Sequence, residues 1–559
     1  MAHQAPTPLQ KNFADMDVEN DGTRHVEERI EIVEDQDQIK DGVVLLMAET
    51  RKADGEAGVN ANIKFANDGK VSAAAATATT TNTNLQTILV PQPSGNPEDP
   101  LNWSSFKKHS ILLMVSFGAF CGDFGAAGGI PAIGLMSAEW NISILLANSP
   151  NNISALMCGV SGVLFMPLLN SWGRIPVLFW TTLIGAGFTL AVCLTHDFNA
   201  FFAMRTLQGL FQSAGQTIGL AFVEDMFFYH QHARKIGIWY SIFITSPFLS
   251  PLLGNFIVAK TGTWRPIFWC NFAVAATLTL VIFFFGDETY YRRSIPVEQQ
   301  RKRPSSQRLL RVLGVWQLRE RRGNFPTVMH TYMRLLEVFC KPVIPPTMLA
   351  YSIVFMWFIG ITTSSSILLS TPESLGGYGL STLSLGYCFF TPIVAVCLGE
   401  LIGHFFNDAM ANHYTKTHRG RFMPEVRLRS TYIGAILMVP GLVVIGQALA
   451  HHLTIGAIIM GWGMYTTGIM ITSVATVAWA LSCHPSASGE VSALINFGRV
   501  ACGFSVSYFQ QQWGTTEGFD VSFGIQAATT VVAFLIFGFL QVFGPRLRAW
   551  AGPVSHIIV

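Results

Sequence analysis

Ile111-Leu-Leu-Met-Val-Ser-Phe-Gly-Ala-Phe-Cys-Gly-Asp123-Phe-Gly-Ala-Ala127 is the stretch that decides what kind of chain this is. It lies inside an apolar run over 109–132, and about 20 such residues in a helix span the hydrocarbon core of a bilayer. One carboxylate, Asp123, sits near its middle. On insertion scales a charge at that depth costs about 2.5–3.5 kcal/mol, so Asp123 must face protein or a cavity rather than lipid.

Working outward, similar runs follow at 153–171, 177–195, 200–222, 236–259 and 264–286, then at 346–369, 381–405, 430–450, 455–481, 490–511 and 523–545. That makes twelve, divided six and six by a hydrophilic stretch at 287–343. The fold expected is an all-α membrane protein with twelve transmembrane helices in two six-helix bundles. Composition agrees: among 559 residues, 50% are hydrophobic and only 13% charged, about half the charge of an ordinary soluble domain. A soluble multidomain enzyme is excluded.

The charge is unevenly spread. Residues 1–60 hold 14 of the 34 acidic residues, and the part beyond residue 107 carries 27 Lys and Arg against 17 Asp and Glu. The first 107 residues are therefore expected to be an acidic, disordered cytosolic tail, too poor in apolar surface to offset the entropy of ordering. No basic segment with a short apolar core opens the chain, so no cleavable signal peptide is expected. The remaining boundaries expected are a first bundle at 108–286, a basic linker at 287–343, a second bundle at 344–546 and a short cytosolic tail at 547–559.

Basic residues set the orientation. With the N-terminus inside, the inner loops carry Lys107, Lys108, Arg174, Arg234 and Lys235, and twelve basic residues lie between Arg292 and Lys341. Lys416, Arg419, Arg421, Arg427, Arg429, Arg546 and Arg548 add to the same side, leaving only Lys260 and Arg265 outside. Both termini are expected in the cytosol. The basic linker is read as facing anionic lipid rather than nucleic acid, because no aromatic residues are interleaved for stacking.

What the chain lacks also narrows the reading. It has no GxxxxGK[ST] loop to hydrolyse ATP, no HExxH, no GxSxG and no paired CxxC. Its nine cysteines are scattered, mostly in apolar runs, and no metal or cofactor is expected. Two sixes of helices without an ATP site fit a secondary transporter, not an enzyme.

Several motifs point further. The loop after the second run reads Pro167-Leu-Leu-Asn-Ser-Trp-Gly173-Arg174-Ile-Pro176-Val, and the fourth run holds Arg205-Thr-Leu-Gln208-Gly209. The fifth holds Ser246-x-x-x-Ser250-Pro251-Leu-Leu-Gly254-Asn255. Asn96-Pro-Glu-Asp99-Pro100-Leu-Asn102-Trp103 precedes the first run, Glu288-Thr289-Tyr290-Tyr291-x-Arg293 follows the sixth, and Pro424-Glu425-Val-Arg427-Leu428 precedes the ninth. Together, from 96 to 548, the chain resembles the major facilitator superfamily in its fungal multidrug-resistance, drug:proton antiporter form. The resemblance implies the major facilitator fold, a small-molecule substrate, protons as the coupling ion, a monomer and the plasma membrane. It departs from the pattern where Asn170 replaces an aspartate, and where Ser171 and Ile175 replace basic residues. Asn170 is then expected to hold its loop with hydrogen bonds in place of an ion pair.

Candidate site residues come from buried polarity. Asp123 is read as a proton site, a partner for a cationic substrate, or a structural partner of Arg205 or Arg499. Arg205, Gln208, Gln212 and Gln216 are spaced 3, 7 and 11 apart, which keeps them on one helical face and suits a cavity wall. Glu400 and His404, one turn apart, suit a proton relay or a wet helix end. Arg499, with Asn496 one turn before it, needs an anionic acceptor from the protein or the substrate. Gly173 and Arg174 belong to the loop motif. Pro247, Pro251 and Gly254 are read as a hinge or a packing site, and Trp264-Arg265-Pro266 as an interfacial anchor. Of the sequons at Asn102, Asn141 and Asn152, Asn141 is the glycosylation candidate.

The function expected is proton-coupled transport of a small organic molecule by alternating access, with efflux preferred. The alternatives are an importer of a nutrient or of an organic cation such as a polyamine, and a receptor that does not transport.

Overall fold

Four helices begin on side-chain caps, which satisfy backbone N–H groups that a helix start leaves open. Ser104 caps α1 (Ser105–Ala127), Ser143 caps α3 (Ile144–Trp172), Asp197 caps α5 (Phe198–Gln212) and Ser381 caps α13 (Thr382–Cys388). Between them lie α2 (Ile133–Trp140), α4 (Arg174–Leu194), α6 (Gly215–Met226), α7 (Tyr229–Thr261) and α8 (Arg265–Phe285). The connector holds α9 (Arg308–Val312), α10 (Val315–Arg319) and α11 (Val328–Phe339). The second half comprises α12 (Ile344–Ser370), α13, α14 (Phe390–Thr417), α15 (Thr431–Ala450), α16 (Ile455–Cys483), α17 (Ser488–Ala501), α18 (Gly503–Glu517) and α19 (Phe519–Ala551).

The computed structural model describes residues 43–47, 64–66, 85–88, 93–552 and 554, except 294–297, 299–304, 320–324, 374–376 and 419–422. The acidic tail expected over 1–107 falls largely outside the described residues. Within it, Val43–Met47 pairs antiparallel with Lys64–Ala66 and with Leu85–Ile88 in a small three-stranded sheet, a separate unit of the chain. Several basic positions of the linker, 301–303 and 321–322, also lie outside the described residues.

Every expected apolar run lies on one helix or on two consecutive helices. Ten helical stretches among the described residues are long and apolar enough to cross a membrane. The expected spans at 200–222 and 490–511 differ for a physical reason. Each is split into shorter helices, the first at Ser213-Ala214 and the second at Cys502, and each carries buried Gln or Arg side chains. Another difference is at α3, which starts at Ile144 and so draws Asn148, Ser149, Asn151 and Asn152 into a buried helical turn. The prolines of α7 do not break it, for the helix runs continuously through Pro247 and Pro251.

The core is divided. One cluster joins α12, α15, α16 and α19 with Ile244, Phe248 and Leu252 of α7. A second gathers α1, α3, α4 and α6, and a third closes one end around Phe201, Trp264 and Phe268. Trp264 is not an interfacial anchor. It is 2% exposed, packs between Trp140 and Phe268, and donates to Glu139 Oε2 at 2.6 Å.

At the end of the molecule that bears the connector, residues 93–107 are held by charge. Asp99 accepts from Ser94 N–H and from Arg293 Nη2, at 3.0 and 3.1 Å. Burial alone would raise its pKa, but the N–H groups of Ser94 and Leu101 and the Arg293 guanidinium keep it below the usual carboxylate range. Asp287 is likewise lowered against the pull of burial, by Lys107 at 2.6 Å and by Arg311 at 3.1 Å.

The turn between α3 and α4 depends on Gly173, whose φ is +105°. Glu288 fills the space beside it and accepts from the N–H groups of Arg174 and Ile175 at 3.0 and 3.3 Å, so a carboxylate caps the positive end of α4. A Cβ on Gly173 would stand 2.5 Å from Glu288 Oε2. Gly173→Ala should therefore lower stability by about 1–3 kcal/mol through strain and loss of this cap, read as a lower unfolding temperature of the purified protein in detergent. An unchanged temperature would remove the cap from the account.

Candidate functional site

The first half presents a row of glycines where glutamines from α5 and α6 come in. A Cβ on Gly122 would stand 2.6 Å from Gln216 Nε2, and one on Gly125 would stand 2.7 Å from Gln212 Oε1. Close approach of α1 and α6 rests on the same feature, since a Cβ on Gly215 would meet the backbone of Gly118. The helix is interrupted at Ser213-Ala214, and beyond it Gln216 meets α1 at Gly122, one turn before the Gly125 position met by Gln212.

Asp123 meets two partners. Gln216 Nε2 donates to Oδ1 at 2.8 Å, and Arg499 Nη2 lies 3.3 Å from Oδ2. The ion pair joins α1 to α17, the first half of the chain to the second. Asn496 Nδ2 reaches Gln216 Oε1 and the Cys158 carbonyl, both at 3.5 Å. The structure thus brings together Asp123, Gln216, Asn496 and Arg499. The Arg499 guanidinium also faces the rings of Phe243 and Phe355, at 4.8 and 5.0 Å. Its Nε has no hydrogen-bond partner among the described residues. Tyr240 and Tyr351, hydrogen-bonded to each other, complete its surroundings.

Arg205 is not the partner of Asp123. It is fully buried and donates to the Gly125 and Ala126 carbonyls at 2.8 and 2.7 Å, to Gln208 Oε1 at 2.8 Å and to Asn151 Oδ1 at 3.0 Å. Two of these acceptors belong to the last turn of α1, whose C-terminal carbonyls carry partial negative charge. The arginine therefore fixes the end of the helix that bears Asp123. Gln208 passes the contact on to Gln212 Oε1 at 3.0 Å. The expected stripe thus divides into Arg205, Gln208 and Gln212 on one side and Gln216 with Asp123 on the other.

Asn151 was missed because the polar cluster before the second apolar run looks like a loop. The signal that locates it is Ser143, a helix cap eight residues upstream. Asn271 and Ser250 were also missed. They line the space at Gly128, where a Cβ would collide with the Asn271 amide, and among the described residues neither Asn271 Nδ2 nor Ser250 Oγ finds a partner.

The remaining candidates lie elsewhere. Glu400 is not at a wet helix end: it is 5% exposed, and His404 Nε2 lies 3.1 Å from its Oε2. Arg174 pairs with Asp225 at 3.0 Å and donates to Asn170 Oδ1 at 2.9 Å. Asn170 Nδ2 in turn reaches Glu490 of α17 at 3.5 Å, and Arg334 of α11 stands 3.5 Å from the same carboxylate. Asn170 holds this end by hydrogen bonds, as its departure from an aspartate implies. Gly254 packs on Pro131, where a Cβ would stand 2.8 Å from Cγ. Asn141 is exposed, at a φ of 51° between α2 and α3, whereas Asn152 is buried.

Comparison with known proteins agrees in kind with this arrangement. A family model, Major Facilitator Superfamily, matches residues 115–507. Efflux pump radE of Floropilus chiversii is 23% identical over 81% of this chain and 83% of its own length. Efflux pump vrtL of Penicillium aethiopicum is 24% identical over 81% and 89%. The solved structure of the proton:xylose symporter XylE superposes with a TM-score of 0.55 at 17% identity, over 80% of this chain and 100% of that one.

Removing the Arg205 guanidinium strands the carbonyls of Gly125 and Ala126 inside the protein, and each stranded buried group costs about 1–3 kcal/mol. Arg205→Ala should lower the unfolding temperature, and Arg205→Lys should recover only part of it, because an ammonium cannot span four acceptors in one plane. Full recovery by lysine would show that charge alone matters.

Proposed function

The chain belongs to the major facilitator superfamily, and on that premise we propose that it exports a small organic molecule in exchange for protons. The observation that carries this reading is the Asp123–Arg499 pair, buried within the helices and joining the two halves. A carboxylate there has a partner on the other half only in some conformations, so its proton affinity changes as the halves move. A group with equal affinity in both states would shift no equilibrium.

In this reading, helices α1–α8 and α12–α19 act as two six-helix bundles that rock about the midplane, with both termini in the cytosol and the chain in the plasma membrane as a monomer. The basic connector lies on the cytosolic side, and Asn141 lies outside, where its exposure suits glycosylation. The export direction is supported by similar proteins that carry the name efflux pump. Asp123 takes up and releases the proton. Gln216 holds its carboxylate in place, and Arg205 fixes the helix that bears it. The network of Asn170, Arg174 and Glu490 closes the cytosolic end in one of the two states.

Asp123→Asn keeps the side chain's size and removes its charge. In proteoliposomes it should abolish transport driven by a proton gradient while substrate exchange persists. Normal gradient-driven transport would make Asp123 a structural partner only, and would move the proton site to Glu400. In cells, a proton uncoupler should raise the accumulation of the substrate if the direction is outward, and lower it if the direction is inward.

A further inference from the structure

Where α1 and α7 begin, three cations gather at one aromatic ring. Lys108 Nζ lies 5.9 Å from the centre of the Phe227 ring and 5.7 Å from that of Phe228, and Lys235 Nζ lies 5.3 Å from the Phe227 ring. Arg234 is exposed and stands within electrostatic range of Lys235. We infer that Lys108, Arg234 and Lys235 bind the phosphate of an anionic lipid headgroup. The inference goes beyond the transport reading and takes from it only that this end faces the cytosolic leaflet.

The first argument is that these charges lack an acidic partner. Among the described residues none of the three forms an ion pair. Asp99 acts on Lys108 only through the field, since Arg293 and Ser94 hold its carboxylate. Lys108 Nζ donates instead to the Leu101 carbonyl at 2.8 Å, and Lys235 Nζ to His109 Nε2 at 2.7 Å. The imidazole can accept there because its Nδ1 is turned to the Ser105 carbonyl, 2.7 Å away. Both ammoniums thus have neutral partners. Burial, and for Lys235 the neighbouring Arg234, push both below the usual lysine range. An aromatic face attracts a cation but brings no opposite charge. Cations drawn together and partly out of water are costly until an anion joins them.

The second argument is the backbone. The N-terminal end of a helix carries partial positive charge. Lys108 lies in the first turn of α1, and Arg234 and Lys235 lie in the second turn of α7. Side chains and helix ends therefore favour an anion at the same place.

The third argument selects a lipid over a free anion. Phe106, two residues before Lys108, is 85% exposed, and the first exposed residues beyond the cluster are apolar, Leu113 on α1 and Ile238 on α7. A phosphate held by Lys108 and Lys235 has room for its acyl chains beside these two. Basic pockets between membrane helices on the cytosolic side suit anionic headgroups. A headgroup here would tie α1, which bears Asp123, to α7, which sets Phe243 against Arg499.

The test is lipid binding to the purified full chain, delipidated in a neutral detergent and followed by native mass spectrometry. The probes are dioleoyl phosphatidic acid, dioleoyl phosphatidylcholine and inorganic phosphate. Wild type should hold phosphatidic acid about tenfold more tightly than phosphatidylcholine, equivalent to about 1.4 kcal/mol, and inorganic phosphate should not displace it. The double variant Lys108→Gln, Lys235→Gln should lose that tenfold, and Lys108→Arg, Lys235→Arg should keep it. Lys341→Gln, at another basic position, should bind as wild type does. Undiminished binding in the double glutamine variant would overturn the proposal. An equal loss in Lys341→Gln would do the same, by showing a general effect of charge. Displacement of the lipid by an equal concentration of inorganic phosphate would give the site to a free anion and overturn the lipid. Should the double glutamine variant fail to fold, equal binding of the two lipids to wild type overturns the site. No proton or substrate enters these measurements, so their failure leaves the transport reading as it was.

Discussion

A buried charge in a membrane has to find a partner inside the protein, and the interior of this chain is arranged around two that found different ones. Asp123 pairs across to Arg499, a residue of the other half. Among the described residues Arg205 meets no carboxylate, and it is held by carbonyls at the end of α1 and by the amides of Gln208 and Asn151. The first contact joins parts that separate in the alternating access proposed above. The second stays within one half and can persist throughout. The same residue types therefore sit differently: one contact crosses between the halves, the other lies within one of them. The carbonyls that hold Arg205 lie less than one turn beyond Asp123, so the fixed contact sets the position of the exchangeable one.

Room for these side chains comes from residues without any. Gly118, Gly122 and Gly125 form one face of α1, and against it lie Gly215, Gln216 and Gln212. Close helix approach gives van der Waals contact where lipid offers no hydrophobic drive to associate. The same tactic recurs in the second half, where Gly441 and Gly461 bring α15 and α16 together and a Cβ on either would press on the other helix. In α1 the gain is different, because the space freed is filled by amides and not by backbone. Larger residues at 122 or 125 would push the glutamines out of reach of their partners.

How much of this was readable in the sequence follows from the kind of signal each feature leaves. Apolar runs are long and dense, so the helices at 109–132, 264–286 and 455–481 could be located to within a few residues. Position 173 was legible as well, because the motif around it is local. The start of α3 was not, since Asn148-Ser-Pro-Asn-Asn152 has the composition of a loop, and only its tertiary contact with Arg205 makes it a buried helix. Which arginine pairs with Asp123 was open for the same reason. Partners from residues 123 and 499 are set by packing, and spacing along the chain carries no trace of it. Glu400 was misplaced because its depth was judged from the end of an apolar run, while helix α14 continues to Thr417. Pro247 and Pro251 were read as a hinge or a packing site; the helix runs continuously through both, and Ser246 Oγ of the same helix donates to the Phe243 carbonyl that Pro247 leaves free.

The polar contacts between the halves fall at different levels, and their strengths are ordered. At the connector end Asn170 reaches Glu490 over 3.5 Å, a weak bond supported by Arg334 on the same carboxylate. At mid-depth Asp123 and Arg499 form an ion pair, with Gln216 and Asn496 beside it. Nearer the far end the contact is neutral, between Asn152 and Tyr508. A charged contact in the low-dielectric middle responds most strongly to a change of charge, because its energy falls off least there. The contact at the far end carries no charge, whereas the connector end does: Glu490 is held by Arg334, and the carboxyl of Glu224 on α6 bonds to Ser488 of α17. Of the three contacts, only the central one sets a carboxylate of one half directly against a guanidinium of the other. Had the Asn170 position kept an aspartate, it would have set a second carboxylate beside Glu490, and like charges there would have pushed the connector end apart. The asparagine removes that repulsion and lets Glu490 keep its contact with the first half.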